Sequence, residues 1–222
     1  MLQSNKVALF DFCETIANFQ TADAYIDFVQ SHSTQTNKSI RILYNILNKY
    51  HVLGIVRRLF PRLSIDKRLI LRQMKGRTYE EMDEFAKKYY ESTIKPNLIQ
   101  PVVGKLKEMQ NEGYEIVIVS GGYDIYLKYF ALEYNIRYIL STTIEFNYGI
   151  CSGKFNGVDC MRASKLDYIH SALIGDCKKW FAFSDSITDL PMLELVGNPI
   201  VVSKNKSQIW AERRGLKQII WK

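Results

Sequence analysis

The residues of this sequence that could do chemistry stand where apolar runs stop. VALF at 7–10 drives into Asp11, with Cys13 and Thr15 close behind. EIVIV at 115–119 drives into Ser120, Gly121 and Gly122. FAFS at 181–184 drives into Asp185, with Asp189 following, and Lys165 opens an amphipathic stretch upstream of it. A carboxylate at a strand end is a nucleophile, a ligand for a hard cation or a helix N-cap. A serine followed by two glycines lets backbone come close to a bound anion, because neither glycine carries a side chain. Taken singly, Ser120 merely ends a strand, Lys165 is one of many surface lysines, and Asp189 is a cap for LPMLEL. Asp185 resists a passive reading, since an acid at the end of such a run is costly to bury without a partner.

These groups need a scaffold that gathers them. Residues 7–12 read as a buried strand, VVGKLKEMQNEG as an amphipathic helix ended by Gly113, YEIVIVSGG as a second strand and DIYLKYFALEYN as a helix. YILSTTIEFNYGICSGKFNG reads as strand segments with turns at Tyr148-Gly149 and Ser152-Gly153. RASKLDYIHSALI is a helix, WFAFSDS and NPIVVS are strands, and IWAERRGLKQIIW is a helix followed by an edge strand. This alternation predicts an α/β fold: a Rossmann-like three-layer core around an open, mostly parallel sheet. In such sheets the ligand site lies beyond the carboxyl ends of the strands. Asp11, Ser120 and Asp185 all fall there.

Residues 17–96 have a different texture. IRILYNILNKYHVLGIVRRLF and TYEEMDEFAKKYYESTI place apolar residues three and four apart. The spacing predicts an α-helical module inserted into a core made of 1–16 and 97–222. The apolar segment YNILNKYHVLGIV is interrupted by Lys49 and His51. It falls short of the roughly 18 uncharged residues a spanning helix needs, so no membrane contact is expected.

A 222-residue chain that is 47% hydrophobic and 24% charged can bury a substantial core, which excludes a disordered or fibrous class. The net charge of +7 suits an anionic ligand without choosing one. Nucleic acid is not expected, because the charge accompanies no recognisable binding motif and the tyrosines follow helical packing periodicity. The four cysteines form no CxxC pair and no zinc-ligand spacing. They read as reduced thiols of a cytoplasmic protein, and the N-terminus lacks the pattern of a signal peptide.

Taken together and in order, the motifs resemble those of the haloacid dehalogenase superfamily, in its phosphoserine-phosphatase-like branch. DFCET at 11–15 matches the family's DxDxT with one departure, Ser120 its second motif, Lys165 its third, and SDSITD at 184–189 its fourth. Lys154 is the weaker rival for the third motif, lying in a turn-rich stretch. The helical insertion corresponds to the family's small cap. The resemblance implies a Mg²⁺ held by Asp11, Asp185 and the backbone carbonyl of Cys13. It implies an aspartyl-phosphate on Asp11 and a phosphoryl group gripped by Ser120, Gly121, Gly122 and Lys165. Asp189 would support the metal shell or hold Lys165.

The departure is Cys13, which stands where the family places its general acid and base. A thiol, with reference pKa about 8.5 against about 3.9 for Asp, is a poorer proton donor and otherwise a small buried hydrophobe. Glu14 is the alternative acid, although consecutive side chains on extended backbone face opposite ways. Nine residues after Asp11 the family's phosphoserine phosphatases carry a Glu that meets the substrate amine, and here Gln20 stands there. A neutral amide weakens the case for free phosphoserine. The basic stretch VRRLFPRLSIDKRLILRQMKGR offers Arg57 and Arg58, with Arg62, Arg68 and Arg72, to read a second acidic group. The expected function is therefore a Mg²⁺-dependent phosphatase for a small, anionic phosphorylated metabolite: an amino acid, amino alcohol or sugar-pathway phosphomonoester. The alternatives are a catalytically silent phospholigand-binding protein and a phosphotransferase.

Overall fold

The structure, a computed structural model, describes residues 1–33, 42, 46–47 and 64–222. Its first elements are β1 (Leu2–Gln3), β2 (Val7–Phe10), α1 (Thr21–His32), α2 (Ile65–Leu71) and α3 (Tyr79–Tyr89). Then come α4 (Gln100–Asn111), β3 (Glu115–Tyr123), α5 (Asp124–Glu133), β4 (Tyr138–Thr142) and a hairpin of β5 (Ile144–Asn147) and β6 (Ile150–Phe155). The chain finishes with α6 (Ser164–Ala172), β7 (Leu173–Ile174), β8 (Phe181–Ser184), α7 (Leu190–Leu195), β9 (Asn198–Lys204), α8 (Ile209–Glu212) and β10 (Lys217–Trp221).

Six strands form one parallel sheet in the order β10-β9-β8-β2-β3-β4. Val7 and Leu9 pack on one face with Ile169, Trp180, Met192 and Ala211. Ala8 and Phe10 pack on the other with Val102, Leu106, Met109 and Phe130. Covering both faces with helices is what makes VALF continuously apolar rather than alternating. The expected α/β core with a mostly parallel sheet is the observed one. The chain builds outward from β2 in both directions, to β3 and β4 on one side and to β8, β9 and β10 on the other. The switch point between β2 and β8 therefore opens a crevice at their carboxyl ends.

Two local expectations change. The first strand ends at Phe10 rather than residue 12, because the chain turns at once: the N–H groups of Ile16 and Ala17 both donate to the Phe12 carbonyl, at 2.9 Å. Ser152-Gly153 is not a turn but part of β6. Gly153 has φ +77°, and a Cβ there would lie 3.1 Å from Arg72 Cα and Lys75 Cβ, so the glycine lets the hairpin press onto the helical segment. That docking is reinforced by backbone hydrogen bonds from Gly76 N–H to the Cys151 carbonyl, Cys151 N–H to Arg77 and Tyr79 N–H to Gly149. The segment 44–56 lies outside the described residues except for 46–47. Among the described residues no helix is long and apolar enough to cross a membrane.

Phe10 and Phe183 are register partners on β2 and β8, with rings stacked 4.1 Å apart and both fully buried. They fix the two strands that end at Asp11 and Asp185. Phe183→Ala should cost about 3–5 kcal/mol, the range for truncating a buried aromatic. Urea denaturation checks this, and a loss below about 1 kcal/mol would show that the stacked pair does not tie the strands together.

Candidate active site

Asp11 leaves the end of β2 with its N–H donating to the Phe183 carbonyl at 2.9 Å, which locks it to β8. Its carboxylate is buried. Lys165, in the first turn of α6 and only 2% exposed, donates to Asp11 Oδ1 at 2.7 Å and to Asp189 Oδ2 at 2.6 Å. Ser184 Oγ donates to the same Asp189 oxygen at 2.8 Å. Burial opposes the Lys165 charge, but the two carboxylates hold its pKa above the ordinary lysine range. Asp189 sits at the N-cap position of α7 yet makes no capping hydrogen bond. Its carboxylate serves Lys165 instead.

Asp185 is half-buried at the end of β8 and has a different neighbourhood. Thr15 Oγ1 lies 3.2 Å from Asp11 Oδ2 and 3.0 Å from Asp185 Oδ1, and it accepts the Asp185 N–H at 3.0 Å. One hydroxyl hydrogen serves only one of those two carboxylates at a time. Burial raises the Asp11 carboxyl to about 6 against the pull of Lys165. Burial, then the Asp11 charge, raises Asp185 to about 7. Two adjacent carboxylates short of positive charge, offering hard oxygens, fit a divalent cation. Among the described residues no three His, Cys, Asp or Glu side chains converge as a metal set. Cys13, two residues after Asp11, lines the same cavity.

A cavity of about 350 Å³ opens over these groups. Asp11, Cys13, Glu14, Gln20, Lys67, Gly121, Arg162, Lys165, Asp185 and Asp189 line it. Of the expected anion grip, Gly121 and Lys165 border the cavity, while Ser120 and Gly122 do not line it. Ser120 is fully buried behind Gly121, and the Gly122 N–H donates to Ser120 Oγ at 3.0 Å rather than facing a ligand. Cys13 Sγ lies 3.0 Å from Thr21 Oγ1, which lies 2.7 Å from the Tyr126 hydroxyl. Burial, then the charge of Asp11, pushes the thiol up to about 11, so it stays protonated.

Extended-strand alternation does not hold at Glu14. Its φ is +57°, outside the strand region, and Cys13 and Glu14 line the same cavity. The Gln20 amide donates to the Glu14 carboxylate. Arg57 and Arg58 lie outside the described residues. Arg68 stacks its guanidinium 4.7 Å over Phe155, away from the cavity walls. Lys154 sits exposed on β6 and does not reach the site. Sequence reasoning missed Lys67, Asp159 and Thr142, which form a buried ionic cluster against Gly121. The available signal was weak: Lys67 is one basic residue in a run of them, offset by three and four residues from the apolar Ile70 and Leu71.

A sequence model of the haloacid dehalogenase-like hydrolases matches residues 8–194. A phosphoserine phosphatase of Methanocaldococcus jannaschii is 23% identical over 231 residues, spanning 99% of this chain and 98% of its own. Among solved structures, a protein of unknown function from Bordetella pertussis Tohama I superposes with TM-score 0.79 at 19% identity, covering 96% of this chain and 97% of that one. A substrate-bound phosphoserine phosphatase superposes with TM-score 0.61 at 17% identity, covering 97% and 93%. The family match, over residues 8–194, spans both strand-borne carboxylates and the buried lysine, and the chain belongs to the haloacid dehalogenase-like hydrolases, with the fold of their phosphoserine-phosphatase-like members.

Proposed function

We propose that the protein is a Mg²⁺-dependent phosphatase for a small phosphorylated metabolite, acting through an aspartyl-phosphate on Asp11. The observation that carries this reading is the buried Asp11–Lys165–Asp189 arrangement opening onto the same cavity as Asp185. Lys165 pins one Asp11 oxygen, and the other, met by the Thr15 hydroxyl that Asp185 also shares, attacks phosphorus. The phosphorus–ester oxygen bond breaks, and the leaving oxygen takes a proton from the Cys13 thiol or from water. Water then attacks phosphorus, its proton returning to the Cys13 thiolate or passing to solvent, and the phosphorus–Asp11 oxygen bond breaks, releasing phosphate and regenerating Asp11. Lys165 stays charged throughout and faces the phosphoryl oxygens. Mg²⁺, when bound by Asp11, Asp185 and the Cys13 carbonyl, neutralises negative charge that the phosphoryl group and the attacking carboxylate would otherwise crowd together.

Residues 17–96 act as a cap over a core of 1–16 and 97–222, excluding water and choosing the substrate. A cavity of this size suits a metabolite rather than a polymer. Gln20 alone would hold an ammonium weakly, but its amide holds the Glu14 carboxylate at the cavity wall. That favours a phosphorylated amino acid or amino alcohol over an uncharged sugar ester. Arg57 and Arg58 remain the proposed readers of a second acidic group. The four free thiols fit a reducing, cytoplasmic setting.

Cys13 decides how well the leaving group is served. Thr21 Oγ1 beside the sulfur is a ready donor to a carboxylate. Cys13→Asp should therefore raise kcat/KM for an alkyl phosphate by about tenfold, within the span general acids supply. An aryl phosphate, whose leaving group needs no proton, should change less than about twofold. A loss on both esters, with Cys13→Ala also losing activity, would show instead that the thiol itself belongs to the mechanism.

The raised carboxyl pKa values give a second check. Without a cation, the folded pKa values of about 6 for Asp11 and about 7 for Asp185 exceed the unfolded value, which is about 3.9. The stability they contribute is complete below about pH 4 and is lost as pH rises through 6 and 7. Thermal unfolding of the cation-free protein should therefore begin at lower temperature at about pH 8 than at about pH 5. Added Mg²⁺ should raise Tm more at the higher pH, and Asp185→Ala should remove most of that rise. Equal Mg²⁺ shifts at both pH values would separate the cation from these carboxylates.

A further inference from the structure

Lys67 lies on α2, in the helical segment, and is 6% exposed. Lysine is almost never buried so deeply unless it is paired. Its ammonium carries three hydrogens and has three acceptors: the Gly121 carbonyl, Thr142 Oγ1 at 3.1 Å and Asp159 Oδ1 at 2.5 Å. The side chain borders the cavity, yet no hydrogen is left over for a substrate. The side chain is therefore poorly placed to read a ligand, and its action falls on the groups it holds.

The most informative of those groups is the Gly121 carbonyl. That carbonyl and the Gly122 N–H belong to one planar peptide unit, in which they point opposite ways. The N–H end donates to Ser120 Oγ at 3.0 Å. With its oxygen accepting that bond, Ser120 has its own hydrogen available for another acceptor. A continuous path thus runs from Lys67, through a single peptide unit, to the Ser120 hydroxyl. Hydrogen bonds in series polarise one another.

The surroundings hold this path in place. Thr142 Oγ1 donates to Asp159 Oδ1 at 2.6 Å and accepts the Cys160 N–H at 3.1 Å. Asp159 is 3% exposed and supplies the counter-charge. The rings of Tyr123 and Phe155 lie 5.0 and 5.2 Å from the ammonium. A Cβ on Gly122 would come 2.7 Å from the Tyr126 hydroxyl oxygen and 3.3 Å from Ser120 Oγ, so the close packing of this peptide against both needs glycine.

We propose that Lys67 is a positioning residue: it reaches from the helical segment into the core and sets the Gly121–Gly122 peptide, so that the Ser120 hydroxyl is aligned for a phosphoryl oxygen only while that segment is docked. This rests on the proposed function and on the role the family resemblance implies for Ser120, whose hydroxyl, fully buried behind Gly121, would meet a phosphoryl oxygen at that wall of the cavity. It makes the segment part of the anion grip rather than only a cover over it.

The test is a double-mutant cycle on the affinity for inorganic phosphate, measured by calorimetry with Mg²⁺ present in the wild type, Lys67→Met, Ser120→Ala and the double variant. Lys67→Met should weaken phosphate binding by about tenfold, the scale of one hydrogen bond to a charged group. In the Ser120→Ala background the same change should weaken it by less than about twofold, because the path no longer has an end. A merely structural lysine would give equal losses in both backgrounds, and that result, or an unchanged affinity in Lys67→Met, overturns the proposal. Removing Lys67 alone leaves the Asp159 charge buried and uncompensated. If that variant does not fold, Lys67→Met/Asp159→Leu takes its place in the cycle with the same expectations. Phosphate binding with the predicted coupling but no turnover of phosphoesters would count against the phosphatase reading and support the Lys67 role. Absence of phosphate binding by the wild type would overturn both.

Discussion

The site depends on a lysine that is almost fully buried between two carboxylates. Lys165 can keep its charge there only because Asp11 and Asp189 both accept its hydrogens, and Asp11 can be buried as an anion only because Lys165 is beside it. Removing one member of such an arrangement leaves the other as an uncompensated buried charge, typically at a cost of about 3–5 kcal/mol. The constraint reaches outward through the fold. It ties the end of β2, the first turn of α6 and the start of α7 to one point at the switch of the sheet. The stacked Phe10 and Phe183 rings and the Asp11 N–H bond to β8 keep that point from drifting.

Asp185 lies just outside this compensated pair, and its contrast with Asp189 explains the division of labour. Both are carboxylates of the same short stretch. Asp189 faces Lys165 and the Ser184 hydroxyl. Asp185 faces Asp11 and a threonine that holds one hydrogen for the two of them. The first geometry holds a compensated anion, and the second leaves two carboxylates sharing one hydroxyl hydrogen. The Cys13 sulfur lies against the Thr21 hydroxyl, which in turn meets the Tyr126 hydroxyl. In the proposed cycle, where water rather than Cys13 protonates the leaving group, the thiol stays protonated and offers no base to the aspartyl-phosphate, which slows its hydrolysis.

What could be read from the sequence follows from how each contact is encoded. Strands buried on both faces are continuous apolar runs, so the runs before Asp11, Ser120 and Asp185 announced both the sheet and the edge where its polar ends meet. Lys165 was legible only through the order of motifs, because nothing local separates it from a surface lysine. Local rules failed where the backbone left regular geometry. Glu14 shares a cavity with Cys13 because its φ is positive, and Gly153 sits in a strand pressed against the helical segment instead of forming a turn. Lys67 was hidden for another reason: Gly121, Thr142 and Asp159 are 54, 75 and 92 residues away in sequence. A basic run gives no hint of which of its members will be drawn into the core by such distant partners.

The central claim is that Asp11, held by Lys165, becomes the phosphoryl carrier. Rapid acid quench of the enzyme during turnover of a phosphomonoester, followed by proteolysis and peptide mass spectrometry, addresses it directly. The account predicts one added phosphoryl group on the peptide containing Asp11, mapped to that side chain, accumulating before steady state and absent in Asp11→Asn. Release of phosphate with no phosphorylated Asp11 at any quench time, or with the label on another residue, would contradict it.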